Sequence, residues 1–488
     1  MGANGQGKTT LLNIISGLDY ADDGQIISPS EMRMAFLPQS FSDNPQSTIL
    51  QECLSGHDHL FKLKVRMEEI LHRMTENYCE VEFEEYDKLL KAYENGEGYQ
   101  LEGAAEKIIL GLGFTKEQLE IHPTTLSGGW RMRLELAKVL IAKPDFLILD
   151  EPTNHLDMPS IEWLENYLLS FQGTLLLVSH DKEFLNNLAT ITVYLNRGKI
   201  QAFPGNFDDF LEQRDQSKAT QVAAVRKIKT QQSHMQSFVD RFKAKASKAR
   251  QAQSRMKMIA KLDSVLSGIN VDDDSPTIHI PKLNYPPSGK DVVDLREVAI
   301  GYARPLISKI NVLIRRGQKI AIVGANGMGK STLLKTICGT EKALEGDVFF
   351  GHNVRMGIYT QDAADRLDKK QSVYETLRIA NQELTEQMSR AMLGAFLFKG
   401  NDLAKSVGVL SGGERSRLAL CCLLSKQPNF LILDEPTNHL DMASIEVLAE
   451  MLDQYPGTVI FVSHDRHFVE EVAEMVFEVQ SNGRLVSY

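Results

Sequence analysis

Residues 319–334 read KIAIVGANGMGKSTLL, an apolar run leading straight into the pattern G-x-x-x-x-G-K-[ST]. That order has a mechanism: a buried strand delivers a glycine-rich loop whose backbone N–H groups, with the following helix N-terminus, face phosphate oxygens. Gly324, Gly327 and Gly329 allow close backbone approach, Lys330 adds a cation, and Ser331, followed by Thr332, adds a hydroxyl ligand for Mg2+. The chain opens in nearly the same words. In MGANGQGKTTLL, residues 1–12, the corresponding places are held by Gly2, Gly5, Gly7, Lys8, Thr9 and Thr10. Only Met1 precedes this copy, so the strand it requires is missing, and the start reads as a truncation or a misplaced start codon.

The repetition runs on. LSGGWRMRLELAKVL from Leu126 returns as LSGGERSRLALCCLL from Leu410, and FLILDEPTNHLDM from Phe146 returns unchanged from Phe430. LLVSHD ending at Asp181 returns as IFVSHD ending at Asp465. Four blocks in one order mark a duplicated domain. Lys8 and Lys330 are 322 positions apart, as are Gln39 and Gln361; Ser127 and Ser411, like Glu151 and Glu435, are 284 apart. The first copy therefore holds 38 extra residues between Gln39 and Ser127. There Leu63, Met67, Ile70 and Met74, then Phe83, Tyr86, Leu90 and Tyr93, recur at helical spacing, which predicts a helical hairpin over about 61–99.

With 488 residues, 43% hydrophobic and 24% charged, the chain has the composition of a globular protein with more than one core. A net charge of -10 argues against nucleic-acid binding over the whole surface. The positive charge is concentrated instead: Leu211 to Leu262 carries 13 Lys or Arg against 3 acids. Neither Pro nor Gly occurs from Asn206 to Ser267, so this basic stretch is expected to be helical and to meet an anionic partner. The domains expected are an α/β domain at 1–205, a helical linker at 206–290 and a second α/β domain at 291–488. Five cysteines without a C-x-x-C pair suit a reducing compartment, and adjacent Cys421 and Cys422 suit a helix core. No apolar run reaches the roughly 18 residues a membrane helix needs, and no signal-peptide pattern opens the chain, so a cytoplasmic protein is expected.

In FLILDEP four apolar residues read as a buried parallel strand. It delivers Asp150 and Asp434 toward the metal, through water, and Glu151 and Glu435 to the point of attack on phosphate.

With LSGG added to the loop and the acidic strand, the chain resembles an ATP-binding-cassette ATPase carrying both cassettes on one polypeptide, two P-loop domains in tandem. The resemblance implies ATP and Mg2+ as ligands. It makes Gln39 and Gln361 the glutamines that sense Mg2+ and the attacking water, His180 and His464 the switch histidines, and Asp157 and Asp441 the aspartates that link the sites. It also implies composite sites, each nucleotide lying between the loop of one cassette and the signature of the other. Lys8, Thr9, Asp150, Glu151 and His180 then face Ser411, Gly412 and Gly413. Lys330, Ser331, Asp434, Glu435 and His464 face Ser127, Gly128 and Gly129. Tyr302 matches the aromatic that stacks on adenine, and its equivalent in the first copy is absent with the missing strands. Trp130, where the second copy has Glu414, reads as a packing choice.

Two cassettes joined by a basic helical linker, with a helical insertion in the first, resemble the ABC-F subfamily, whose members act on ribosomes. That implies a monomer, an intramolecular cassette sandwich, that enters the ribosomal exit site in its ATP-closed form. The arm then lies against the ribosome and the linker reaches toward peptidyl-tRNA. A pair of helices of roughly 25 to 30 residues spans about 40 Å. Candidate RNA contacts are Arg241, Lys243, Lys245, Lys248, Arg250, Arg255 and Lys257, reading phosphates and shape rather than sequence. Phe238 and Phe242 are placed either to stack on RNA or to pack the two helices together. Two other readings share the cassette motifs: an ATPase of DNA repair or maintenance, and the ATPase subunit of a transporter with separate membrane subunits.

Overall fold

Lys319–Val323 forms the strand expected before the second phosphate loop, and its place in the sheet explains its composition. It lies fourth in a six-stranded sheet ordered Met356–Tyr359, Phe430–Asp434, Thr458–Val462, Lys319–Val323, Met475–Val479, Leu485–Ser487. The first five strands are parallel and only the last is antiparallel. Strands of a parallel sheet are covered on both faces and lose the alternation of half-buried strands. Phe430 to Leu433 are accordingly at most 1% exposed. A smaller antiparallel sheet places Asp291–Gly301 between Pro305–Arg315 and Glu345–Phe350. Its inner residues, among them Val293, Leu295 and Ile310, close a core with Leu333, Leu334 and Ile337 of the loop helix Lys330–Ile337.

This computed structural model describes residues 1–488 apart from 3–4, 30, 38–46, 56–57, 77–79, 97, 197, 243–248, 269–284 and 439. Within helices, the side chains of 58–61, 68, 75–76, 80–81, 238, 241–242, 249–253 and 264–268 are also outside the description. The chain divides into two units, one of Met1–Leu188, Leu195–Lys199 and His279–Tyr488, the other of Ala189–Tyr194 and Ile200–Ile278. The first unit holds both copies of the repeat.

In the first copy the parallel sheet is Met34–Phe36, Phe146–Asp150, Thr174–Val178, and among the described residues it stops there. Among the described residues no strand pairs with Thr174–Val178 on the side where Lys319–Val323 pairs with Thr458–Val462 in the second copy. Leu195 N–H donates to Met1 O at 2.9 Å. The consequence shows in the packing. Under the loop helix Lys8–Ser16 the described core comprises Leu12, Ile148 and Val178, three residues against nineteen in the second copy. Thr10 is exposed, whereas its equivalent Thr332 is 7% exposed.

The insertion forms helices Asp58–Glu76 and Glu80–Asn95, which run antiparallel. Arg66 meets Glu85 at 3.1 Å and Arg73 meets Glu82 at 3.4 Å. Met67, Ile70 and Tyr93 of the expected apolar stripes are buried, and the Tyr93 hydroxyl donates to Glu102 at 2.8 Å. Cys421 and Cys422, 0% and 8% exposed, are core residues of the helix Gly412–Ser425.

The second unit contains the linker helices Phe207–Phe242 and Ala249–Gly268, packed along each other, with Gln232 donating to Asp263 at 2.7 Å. They differ in length, 36 and 20 residues, where two sides of roughly equal length were expected. The first starts as soon as the Pro204-Gly205 break is passed, where Asn206 and Asp209 cap each other's N–H groups at 3.0 Å. It spans about 54 Å and the second about 30 Å at 1.5 Å per residue. No helix among the described residues is long and apolar enough to cross a membrane.

The two copies should therefore open unequally. In hydrogen exchange, amides of Thr174–Val178, half-covered at a sheet edge, should exchange at least about tenfold faster than those of the fully buried Thr458–Val462. Equal protection would show that the thin core costs the first copy nothing.

Candidate functional site

Both phosphate loops are built alike. Gly7 and Gly329 stand just before their helices at φ of 90° and 96°, a left-handed turn that a side chain would strain. Gly2 and Gly324 pass so near the adjoining segment that a Cβ would lie 2.5 Å from Leu195 O and 2.7 Å from Val479 O. Lys8 Nζ folds back to donate to Gly2 O at 2.6 Å, and Lys330 Nζ donates to Gly324 O at 2.7 Å and Ala325 O at 2.9 Å. Each ammonium is thus held over the mouth of its loop. Burial lowers the pKa of Lys8, and that of Lys330 to about 8. An anionic ligand would relieve this cost.

Behind each loop a hydroxyl meets a carboxylate. Thr9 Oγ1 donates to Asp150 Oδ2 at 2.7 Å and Ser331 Oγ to Asp434 Oδ1 at 3.1 Å. Burial, then the neighbouring Glu435, pushes Asp434 up to about 6. No cluster of three or more His, Cys, Asp or Glu side chains able to hold a metal occurs among the described residues. A hydroxyl and one carboxylate, both hard oxygen donors, suit Mg2+, which keeps several waters and takes its remaining ligands from phosphate.

The next residue in each copy turns sharply. Glu151 and Glu435 have φ of 53° and 51°, unusual for a non-glycine residue, and their N–H groups still bond Val178 O at 2.8 Å and Val462 O at 3.0 Å. The turn swings the carboxylate off the strand axis toward the switch histidine. His180 N–H donates to Glu151 Oε2 at 3.2 Å, and His180 Nε2 lies 3.2 Å from Glu151 Oε1, an oxygen left without a hydrogen bond. In the second copy Asn438 Nδ2 donates to Glu435 Oε2. His464 Nε2, 3.6 Å from Glu435 Oε1, is buried without a hydrogen-bond partner. Burial lifts Glu151 to about 7 and lowers His180 to about 4 and His464 to about 3, so both imidazoles are neutral at pH 7.

The first-copy groups, with His464 of the second copy, line one cavity of about 820 Å³, whereas Lys330, Ser331, Asp434, Glu435 and Ser127 lie outside its lining. Gly5, Lys8, Thr9, Asp150, Glu151 and His180 line it from the first cassette, and Ser411, Gly412 and Gly413 from the second. Gly128 and Gly129 enter the same cavity beside Thr437, Asn438 and His464. Asp157 caps its own helix by accepting from Ser160 N–H at 3.2 Å, and its other oxygen accepts from Asn326 N–H, in the opposite phosphate loop, at 2.7 Å. Asp441 caps Ser444 N–H at 3.1 Å in the same way.

The two signature helices start differently. Ser411 and Glu414 form a reciprocal cap, Ser411 N–H donating to Glu414 Oε2 at 2.7 Å and Glu414 N–H to Ser411 Oγ at 3.2 Å. Ser127 makes no side-chain cap bond, and Trp130, at the Glu414 position, offers no carboxylate to the Ser127 N–H and packs edge-on to Phe114 at 4.8 Å.

Other expected residues lie apart from the cavity lining. Gln361 is exposed just after Met356–Tyr359, and Tyr302 is 61% exposed at the end of Asp291–Gly301. Gln39, Lys243, Lys245 and Lys248 lie outside the described residues, and Arg241 and Arg250 are described in backbone only. Arg255 lines a groove with Arg226, Lys227 and His234 of the facing linker helix, and Lys257 is exposed.

Sequence reasoning passed over the residues after the switch histidines. Asp181, pushed up to about 6 chiefly by burial, feels the charge of Asp465 across the cassettes, and desolvation raises Asp465 as well. Around them Lys182 meets Glu446 at 2.8 Å and Arg466 meets Glu183 at 3.3 Å. Such half-exposed pairs are worth about 1 kcal/mol or less each, so they orient the cassettes more than they hold them. The repeated aspartate of V-S-H-D was the available signal.

The ABC transporter family model matches this chain twice, at residues 1–154 and 307–438, and a companion model, also described as ABC transporter, matches residues 193–280. The putative ATP-binding protein YdiF of Bacillus subtilis (strain 168) is 39% identical over 487 residues, covering 99% of this chain and 75% of its own length. ABC transporter F family member 2 of Arabidopsis thaliana is 35% identical over 491 residues, covering 99% of this chain and 72% of its own. Among solved structures, RNase-L Inhibitor superposes with a TM-score of 0.61 at 18% identity over 100% of this chain and 84% of its own, a likeness of fold. With the duplicated loop, acidic strand and signature on the page, the chain belongs to the ABC-F subfamily of ATP-binding-cassette ATPases.

Proposed function

We propose that this ATPase clamps ATP at two composite sites between its cassettes and that the clamped form acts on the ribosome as a cytoplasmic regulator of translation. The observation that supports the clamp is the cavity in which Lys8, Thr9 and Glu151 face Ser411, Gly412 and Gly413. In each site the loop amides and lysine cradle the phosphates, and the opposite signature amides and serine reach the terminal phosphate only when the cassettes meet. Glu151 and Glu435 orient and polarise the attacking water, while neutral His180 and His464 donate toward the terminal phosphoryl oxygens. Thr9 with Asp150 and Ser331 with Asp434 would hold Mg2+, with Gln39 and Gln361 approaching it on closure. When bound, the ion neutralises charge developing between the transferred and leaving phosphates. Hydrolysis removes the terminal phosphate and with it the signature contact, so the clamp releases.

The ribosomal reading draws on subfamily membership and on the basic linker helices, which suit a phosphate-rich partner. Arg255 and Lys257, with Arg241, Lys243, Lys245, Lys248 and Arg250, are its proposed RNA contacts, directed at ribosomal RNA and tRNA. The domain boundaries proposed are 1–205, 206–290 and 291–488, with the arm over 61–99.

Three measurements test these statements. With both Glu151→Gln and Glu435→Gln, hydrolysis should fall at least about a hundredfold while ATP binding persists, and the chain should co-sediment with ribosomes in ATP. Binding of nucleotide without ribosome association would overturn the ribosomal role, and capture by membrane subunits or a preference for duplex DNA would support the rival assignments. In a Glu435→Gln background the remaining site should gain activity with pH, with a midpoint near 7, because Glu151 accepts a proton only when ionised. A profile flat from pH 6 to 8 contradicts the role of Glu151 as base. Replacing three linker cations by Gln should reduce the slope of log K for ribosome binding against log salt by about 2 to 3; an unchanged slope makes the linker a spacer.

A further inference from the structure

Arg133 lies on the signature helix Gly128–Ile141 and is 2% exposed, an expensive place for a guanidinium. Its Nε and Nη2 both donate to one acceptor, the carbonyl oxygen of His155, at 3.1 and 2.8 Å. Its Nη1 donates to Leu112 O at 2.7 Å, and Asp157 Oδ1 stands 3.8 Å away. His155 itself is held at φ 66°, a left-handed conformation that persists only where the surroundings enforce it. Two charge-assisted donors on its carbonyl supply that enforcement.

Both groups that Arg133 organises touch the phosphate loop of the other cassette. Asp157 Oδ2 accepts from Asn326 N–H at 2.7 Å, and the His155 carbonyl accepts from Asn326 Nδ2 at 3.3 Å. Asn326 Oδ1 in turn accepts from Lys330 Nζ at 3.3 Å. An unbroken set of polar contacts therefore runs from the signature helix of the first cassette to the phosphate-loop ammonium of the second. We propose that Arg133 is a positioning residue for the second nucleotide site, fixing Asn326, and through it Lys330, by way of the His155 carbonyl and Asp157. The proposal rests on the reading of Lys330 and Glu435 as parts of that site. A lysine at this position cannot present paired donors to one carbonyl while also reaching Leu112 O. Arg417, at the corresponding place in the second copy, stands over the Phe398 ring at 5.4 Å.

The test is a double-mutant cycle on the full chain in a Glu151→Gln background, where turnover reports the second site. Arg133→Lys and Asn326→Ala should each lower kcat/KM about tenfold, and the double variant should be no worse than the poorer single. Arg417→Lys should change kcat/KM by less than about twofold. If the losses from Arg133→Lys and Asn326→Ala multiply, or Arg417→Lys costs as much as Arg133→Lys, Arg133 is merely a core arginine and the proposal fails. Should Arg133→Lys unfold, Arg133→Gln, which keeps one donor for the His155 carbonyl, carries the same cycle. The underlying reading fails by a different sign: a Glu151→Gln, Glu435→Gln chain that hydrolyses ATP as fast as the unsubstituted one.

Discussion

A phosphate loop cannot enclose its ligand alone. Its amides and lysine cover one side of a polyphosphate, and the side bearing the terminal phosphate stays open to water. In this protein the open side of the first loop is met by the start of the Gly412–Ser425 helix, which supplies amides and a serine from another domain. The rest of the first unit follows from that requirement. The glutamate must leave its strand sideways to reach the gap, burial keeps the histidine beside it neutral, and the NHLD turn must touch the opposite loop. Repetition of these features at equivalent positions, Glu151 with Glu435 and His180 with His464, shows that they come from the site and not from accidents of packing.

Part of the backbone strain falls beside the buried charges of the site. Glu151, His155 and Glu435 are three of the few non-glycine residues with positive φ, and all three adjoin the cavity or the contact between cassettes. Their cost is of order 1 to 3 kcal/mol each, and the turn at Glu151 leaves its N–H bond to Val178 O in place.

Much of this could be read before any coordinates. The loops, the acidic strands and the signature helices are written in residue types with local mechanisms, and duplication supplied an internal control on each. The strand Lys319–Val323 before the second loop was legible in the same way, from its apolar run. The arm was legible from its apolar spacing. Less legible were contacts between residues distant in sequence that carry no motif of their own: Arg133 reaching His155, or Lys182 reaching Glu446. The unequal linker helices were missed because absence of Pro and Gly permits a helix without fixing where the chain reverses.

The difference between the two signature starts has an evolutionary side. Under the composite sites proposed above, Trp130 at the place that Glu414 holds in the second copy leaves the first copy's own nucleotide untouched and alters its sister's. Mutations therefore accumulate in trans, and two domains that began identical can specialise without either losing its own loop, strand or base. A fused pair is freer to diverge than a homodimer, in which every substitution strikes both sites at once.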